Sequence, residues 1–187
     1  MPITIRPACF KDARALARVQ VAAWHATYSG MVPDAMLAAT TLERKQEIWS
    51  RLLTEEEAPT SRCRTLLCTA GAAGEVEGFI RIGPQRTARF LSQWPGEIQI
   101  LYIHPAAQGQ GRGRTLLAAG AGLLNAAGLV PATLWVMSAN TRARRFYERL
   151  GGAYLEEQTV PVQHESFDEV AYGWHDLSSL AAACAED

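Results

Sequence analysis

A glycine-rich segment, Gln108-Gly109-Gln110-Gly111-Arg112-Gly113, contains residue types that could hold a charged ligand. It follows the apolar stretch 98–103 and opens a long helical pattern. Glycines let a backbone approach a ligand and aim successive N–H groups at one point. The positive N-terminal end of a helix also favours anions. The segment therefore predicts a phosphate site, to which Arg112 and Arg114 could add charge. A strand-to-helix turn without a ligand is the alternative.

The spacing of the glycines separates this segment from two other phosphate loops. A dinucleotide loop requires G-x-G-x-x-G, and counted from Gly109 the third glycine would fall at Arg114. The acidic residue expected about 20 residues later is also missing, since 129–137 contains no carboxylate. A nucleoside-triphosphate loop ends in G-K-S/T, which this chain lacks. An NAD-linked oxidoreductase and an ATP-binding enzyme are therefore both disfavoured.

Hydrophobic periodicity predicts the elements that position the segment. Strands are predicted at 3–6, 65–69, 76–82, 97–104, 132–137, 154–162 and 170–177. Helices are predicted at about 12–28, 41–53, 114–127 and 140–150. The second half of 97–104 is apolar on both faces, as in a central strand. We expect one domain over 1–187, with a core at about 3–177 and a frayed tail at 181–187. Its fold class is α/β, a mixed sheet of about seven strands with helices on both faces.

Composition and charge set limits on partners and compartment. The chain has 187 residues and a formal net charge of −1, so no strong field directs it to nucleic acid or to an anionic membrane. No segment has the length and hydropathy of a signal peptide or of a membrane span, so the cytoplasm is expected. The four cysteines are scattered and the histidines lack partners at ligand spacing. Neither a disulfide framework nor a metal site is therefore expected.

Two motifs in order resemble the GNAT superfamily of acetyl-CoA-dependent N-acetyltransferases. Gln108, Gly111 and Gly113 fit its loop pattern Q/R-x-x-G-x-G/A, and 101–105 is similar to its strand and proline lead-in. Asn140-x-x-Ala143-x-x-Phe146-Tyr147-Glu148-x-x-Gly151 resembles its second motif at the expected distance. Trp24-x-x-x-Tyr28-x-Gly30 resembles the opening of a branch of small-molecule members. The resemblance covers roughly 3–177 and implies transfer of an acetyl group from acetyl-CoA to an amine.

The resemblance also implies where the cofactor binds. Acetyl-CoA would lie in a V-shaped split between the fourth and fifth strands, with its arm on backbone groups of the fourth strand and its pyrophosphate on the amides of the glycine segment. The residues assigned in this way are Leu101, Tyr102, Ile103, Gln108, Gly109, Gln110, Gly111, Arg112, Gly113, Arg114 and Asn140. Asn140 is predicted either to contact the cofactor arm or to cap a helix, and both roles are compatible.

The chemistry requires a proton acceptor and a proton donor. An alkyl amine has a pKa of about 10.4, so at pH 7 about one molecule in 2,500 is nucleophilic. The resemblance places Tyr147 near the thioester sulfur as a general acid, with a core aromatic as the alternative. Glu97 is the candidate base, with a solvated glutamate at the strand edge as the alternative. The resemblance also makes Trp24 and Tyr28 candidate walls of the acceptor pocket, with core packing as the alternative, whereas Trp49 is expected in the core.

The sequence leaves the acceptor open, and a small molecule and a peptide amine both fit. A non-catalytic acyl-CoA-binding module on the same fold is the alternative to an enzyme. A homodimer is common among similar proteins, and nothing in the sequence decides it. Gly152 stands where the family often has a large aromatic residue, which predicts looser packing after the second motif.

Overall fold

The computed structural model of the chain describes residues 3–70, 74–162, 165–178 and 180. Its strands are β1 (Ile3–Pro7), β2 (Arg64–Ala70), β3 (Glu75–Pro84), β4 (Gly96–Ile103), β5 (Ala132–Met137), β6 (Ala153–Val162) and β7 (Glu165–Trp174). Its α-helices are α1 (Ala13–Tyr28), α2 (Asp34–Ala38), α3 (Leu42–Glu56), α4 (Arg112–Ala126) and α5 (Thr141–Arg149). All predicted strands and helices are present, but β7 was predicted at 170–177 and spans Glu165–Trp174, and α2 was not predicted. The predicted tail at 181–187 lies outside the described residues.

The strands form one mixed sheet in the order β1-β2-β3-β4-β5-β7-β6. Every neighbouring pair is antiparallel except β4 and β5, which are parallel. A parallel pair needs a crossover, and α4 supplies it. The crossover places the glycine segment at the end of β4. The prediction that β4 is central is confirmed.

Helices cover both faces of the sheet, as predicted. On one face, Leu116 and Leu117 of α4 pack against Ile80 and Ile82 of β3. On the other face, α1 and α3 pack against β2 and β3, with Trp49 fully buried against Phe79 at 4.9 Å between ring centroids. The predicted core role of Trp49 is confirmed, and its Nε1 donates to Oε1 of Gln20 at 2.8 Å.

The segment 84–95, which connects β3 to β4, covers the remaining part of the α1–α3 face. Phe90 and Trp94 of this segment are buried against Ala171 of β7 and against the ring of Trp135 of β5. The phenyl ring of Phe90 stacks on the indole ring of Trp135, with 5.7 Å between the ring centroids. An open channel lies between this segment and α3, with Arg86 of the segment and Leu52 of α3 in its lining.

The predicted loose packing at Gly152 is wrong. A Cβ atom at Gly152 would lie 2.7 Å from the ring of Trp174 and 3.0 Å from the carbonyl oxygen of Tyr147. The space that an aromatic side chain would need is filled from β7 instead. Among the described residues, no helix combines the length and the hydropathy that a membrane span requires.

Candidate active site

The parallel strands β4 and β5 pair only at their beginning. The register joins Gly96 to Ala132 and Glu97 to Thr133, whereas β4 continues to Ile103 and β5 to Met137. Beyond these two pairs, the described residues of β4 have no ladder partner on the side of β5. Backbone N–H and C=O groups need partners, and an extended ligand can supply them in the way that an added strand does. The sheet therefore has a split at its centre, as the resemblance implied.

A β-bulge in β4 lies where the split begins. Arg81 of β3 pairs with Ile100, and the next residue, Ile82, pairs with Ile98, so Gln99 is the extra residue. Because of this extra residue, Ile98 packs on the side of α4 and Ile100 on the side of α1 and α3. A bulge bends its strand and re-aims side chains. It therefore turns the end of β4 away from β5 and directs Gln99 towards the open channel.

The glycine segment at the end of β4 has the geometry of an anion site. Gly109 and Gly111 have φ values of 77° and 82°, in the left-handed region that favours glycine, and the space around both is open. Gln108 and Thr115 on either side donate backbone hydrogen bonds to Pro105 and Gly111. Within the described residues no acceptor is found for the amides of 109–113. These amides lie at the N-terminus of α4, so they fit a pyrophosphate.

The side chains of the segment hold its shape. Gln108 donates from Nε2 to the carbonyl oxygen of Ile103 at 3.2 Å, and its Oε1 accepts from Nη1 of Arg142 at 2.7 Å. Arg112 donates from Nε to Oε2 of Glu77 at 2.7 Å, and its side chain is 11% exposed. Because Glu77 neutralises Arg112, the predicted contribution of this side chain to the charge of the phosphate site is largely cancelled. What the segment offers a ligand is mainly its backbone.

The helices α1 and α5 meet near the open end of β5. Asn140 accepts at Oδ1 from the backbone N–H of Ala143 at 3.1 Å, so the predicted N-cap is present. Its Nδ2 donates to the hydroxyl of Tyr28 at 3.4 Å. Tyr28 packs against Met137 at the end of β5, and its ring lies 4.4 Å from that of Trp24. The structure thus brings both predicted acceptor residues next to Asn140.

Tyr147 of α5 lies in the same region with its hydroxyl unpaired. The ring is buried against Phe146, Tyr172 and Trp174. Its hydroxyl makes no hydrogen bond to another described residue. Burial, together with the nearby hydroxyl of Tyr28, raises the pKa of Tyr147 above its usual value. The side chain therefore stays protonated at neutral pH and can donate its proton to a ligand.

The side chain of Trp24, next to Tyr28, carries an unsatisfied hydrogen-bond donor. Its indole Nε1 is buried and has no hydrogen-bond partner among the described residues. A buried donor without a partner destabilises the folded state by about 1–3 kcal/mol. A ligand with an oxygen or nitrogen acceptor would remove this penalty, which agrees with a binding role for Trp24.

Glu97 is buried in an ion pair. Only 2% of its surface is exposed, and Arg86 of segment 84–95 donates from Nη2 to Oε1 at 2.6 Å and from Nε to Oε2 at 3.0 Å. The backbone N–H of Arg86 also donates to Oε2, at 2.9 Å. The hydrogen bond to Glu97 raises the pKa of Arg86, opposed by burial. Both oxygens of the predicted base are therefore engaged, and the alternative of a solvated glutamate at the strand edge is wrong.

An open groove of about 350 Å³ crosses the sheet where the split begins. Its lining consists of Arg86, Thr87, Glu97, Gln99, Trp135, Gln158 and Glu169. An adjoining groove of about 340 Å³ shares Arg86 and Gln99 with it. The sequence analysis found only Glu97 of this lining. The other residues come from separate strands and from the segment 84–95, so no spacing pattern joins them.

Comparison with known proteins identifies the family of the chain. The family model described as "Acetyltransferase (GNAT) family" matches residues 31–152. The uncharacterized N-acetyltransferase YuaI of Bacillus subtilis (strain 168) is 29% identical over 179 residues, which cover 95% of this chain and 96% of that protein. The mycothiol acetyltransferase of Streptosporangium roseum is 46% identical over 56 residues, which cover 30% of this chain and 17% of that protein.

Solved structures share the fold over nearly the whole chain. The PaiA N-acetyltransferase of Thermoplasma acidophilum, in complex with coenzyme A, has a TM-score of 0.71 at 19% identity and covers 93% of this chain and 100% of that chain. YncA of Salmonella typhimurium, with acetyl-CoA, has a TM-score of 0.66 at 20% identity and covers 94% of both chains. With the family model matching most of the sequence, the chain belongs to the acetyltransferase (GNAT) family, which confirms the predicted fold and acyltransferase class.

Proposed function

We propose that this chain is an N-acetyltransferase that moves an acetyl group directly from acetyl-CoA to the amine of a small molecule or peptide. Acetyl-CoA is the co-substrate. The observation that carries the proposal is the split between β4 and β5 with the glycine segment at its open end. The side chain of Gln108, bonded to Ile103, joins these two features. One extended ligand with an amide arm and a pyrophosphate can therefore occupy both.

The backbone carries most of the cofactor contacts in this proposal. The arm of acetyl-CoA pairs with the free edge of β4 at Leu101, Tyr102 and Ile103. Its pyrophosphate accepts hydrogen bonds from the amides of 109–113, in the first turn of α4. Asn140 contacts the arm while it caps α5, since its Nδ2 is held only by a 3.4 Å contact to Tyr28.

Transfer needs no covalent intermediate on the enzyme. The ammonium form of the acceptor loses a proton, and its nitrogen then attacks the thioester carbon. A C–N bond forms, the C–S bond breaks, and the leaving thiolate takes the proton of the Tyr147 hydroxyl. Tyr147 then recovers a proton from the newly acetylated nitrogen. The hydroxyl of Tyr147 supports this role, because it is protonated at neutral pH and makes no hydrogen bond to another described residue.

Trp24 and Tyr28 form part of the acceptor pocket in this proposal. Both stand beside the end of β5, and the indole N–H of Trp24 is a buried donor that needs an acceptor atom. An oxygen or nitrogen of the acceptor molecule is a suitable partner. The adjacent rings supply an apolar wall that excludes water from the amine.

The deciding experiment measures thermal unfolding with acetyl-CoA, with coenzyme A and with NAD as the control. A ligand present at 100 times its Kd adds about 2.7 kcal/mol to the free energy of unfolding. We expect this stabilisation with acetyl-CoA and none with NAD, followed by thiol release on addition of amines. No stabilisation by acetyl-CoA would overturn the proposal. Stabilisation without thiol release from any amine would instead indicate an acyl-CoA-binding module.

A further inference from the structure

We infer that Glu169 is the carboxylate that receives the ammonium group of the acceptor and takes its proton, and that the acceptor is an amine without a neighbouring carboxylate. This inference rests on the proposed function and assigns the base and the substrate class of the same site. It concerns the groove of about 350 Å³ that crosses the start of the split.

The position of the groove places its occupant against the reacting carbon. Gln99, the bulge residue of β4, lines one side. Trp135, two residues beyond the last β5 residue paired with β4, lines the other. The groove therefore opens on the point where the two strands separate. A thioester at the inner end of an arm in the split faces this opening.

The sheet register brings Glu169 into the groove. Glu169 of β7 lies opposite Met137 of β5, and residues directly opposite in a ladder share a face. Met137 and Trp135 share a face of β5 because they are two residues apart. The side chain of Glu169 is accordingly among those that line the groove, with Trp135.

The charges of the side chains that line the groove favour a positively charged occupant. Arg86 and Glu97 neutralise each other through two side-chain hydrogen bonds. Arg89, beside the groove, pairs with Glu156 and donates to Gln158. Glu169 accepts at Oε1 from Nε2 of Gln158 at 2.6 Å, and it forms no salt bridge with any described residue. The groove thus keeps one carboxylate whose charge no direct contact cancels.

This carboxylate matches what the acceptor needs. An alkyl amine arrives as an ammonium ion, which can contact Glu169 directly. Arg86 acts on Glu169 only through its longer-range charge, because the hydrogen bonds of its side chain go to Glu97. The proton moves from the ammonium nitrogen to a carboxylate oxygen of Glu169, which releases the nitrogen lone pair for attack on the thioester carbon. Because Arg86 is paired with Glu97, Glu169 leaves the lining with one surplus negative charge, and an α-carboxylate on the acceptor would be repelled by it.

The test compares Glu169→Gln with the neighbouring variant Asp168→Asn. Asp168 is exposed, and its side chain accepts a hydrogen bond from the hydroxyl of Thr159. The Asp168→Asn substitution therefore leaves the groove unchanged. The probes are 2-phenylethylamine and ethanolamine, each beside its carboxylated counterpart, phenylalanine and serine. We expect kcat/KM at pH 7 to be at least ten times higher for the amines than for the amino acids. We expect Glu169→Gln to lower kcat/KM for the amines by about 100-fold or more.

The pH profile separates a base from a residue that only shapes the groove. The loss in Glu169→Gln should shrink as the pH approaches the pKa of the amine, since the free amine then needs no base. An equal loss at every pH, or a loss below threefold, would overturn the inference.

Binding of 2-phenylethylamine to the protein saturated with coenzyme A supplies a readout independent of turnover, and Glu169→Gln should weaken this binding about tenfold. Unchanged binding would also count against Glu169. Acetyl-CoA should stabilise the unaltered protein and both variants equally. If acetyl-CoA bound none of them, the proposed function would be contradicted, and not the role of Glu169.

Discussion

The proposed cofactor side and the proposed acceptor side of this site are built differently, one mainly from backbone and the other from side chains. The cofactor side is mostly backbone: the free edge of β4 and the amides of 109–113, all within one stretch of the chain. The acceptor groove is made of side chains from β4, β5, β6 and β7 and from the segment 84–95. The first depends on glycines at fixed positions, whereas the second depends on which side chains happen to face one another across the sheet.

This difference explains why the co-substrate can be named as acetyl-CoA, whereas for the acceptor only a chemical class can be proposed. A backbone site tolerates few substitutions, because Gly109 and Gly111 adopt φ values that other residues rarely adopt. A groove of side chains can change its charge and shape while the strands keep their register. Substitutions on the two sides should therefore have separable effects on acetyl-CoA binding, on acceptor turnover and on stability.

The largest expected effect comes from Tyr147, which serves both sides. Tyr147→Phe should lower kcat by about 100-fold or more, because the thiolate loses its proton donor. Stability should change little, since the hydroxyl makes no hydrogen bond to another described residue. Steady-state kinetics and thermal unfolding with acetyl-CoA measure the two effects, and the stabilisation by acetyl-CoA should be retained.

The raised pKa of Tyr147 adds a pH test with a defined sign. A tyrosine whose folded pKa lies above its unfolded value of about 10 contributes stability below pH 10. This contribution is lost as the pH rises towards the folded pKa. The free energy of unfolding of Tyr147→Phe should therefore fall less steeply with pH above about pH 10 than that of the unaltered protein. Unchanged turnover in the variant would show that Tyr147 is only a core residue.

The next effect should appear in stability rather than in chemistry. Glu97→Gln should lower the free energy of unfolding by about 1–3 kcal/mol, because Arg86 loses its charged hydrogen-bond partner. Urea denaturation measures this loss. Glu156→Gln, which breaks the more exposed pair with Arg89, should cost about 0.5 kcal/mol and is the matched control. A variant at Glu97 with full stability and abolished turnover would restore Glu97 as the base.

A smaller effect should fall on the cofactor side alone. Gly111→Ala places a Cβ atom on a residue with φ of 82°, which costs about 1–2 kcal/mol, so acetyl-CoA should bind about 5- to 30-fold more weakly. Gly122→Ala is the control, because Gly122 lies inside α4 without a positive φ and with open space around it. It should raise the free energy of unfolding by about 0.5–1 kcal/mol and leave affinity unchanged. Equal affinity in both variants would contradict a ligand role for the glycine segment.

Local patterns were enough to predict the strands, the long helices and the glycine segment. The five-residue helix α2 escaped prediction because it is too short for a periodic signal and follows Pro33 directly. Strand β7 was predicted to begin at 170, whereas it begins at Glu165 and includes Glu169. Residues 165–169 are polar except for Phe167, which is a weaker strand signal than the apolar run that follows.

The candidate site was predicted as far as its residues follow one another in sequence. Glu97 was found, but its partner Arg86 lies in a segment without periodic pattern, so the ion pair could not be foreseen. The unpaired donor of Trp24 is likewise a property of packing, which no spacing of residue types records. Contacts between distant segments therefore decided which predicted residues have free functional groups.

The two residue pairs that join β4 to β5 also set the mechanical continuity of the sheet. Seven strands form two smaller ladders, β1-β2-β3-β4 and β5-β7-β6, connected through the backbone at a seam only two residues long. A ligand arm laid along β4 would lengthen that seam and join the two ladders. Amide hydrogen exchange along the second half of β4 would then slow on ligand binding, and the two halves would unfold with greater cooperativity than in the ligand-free protein.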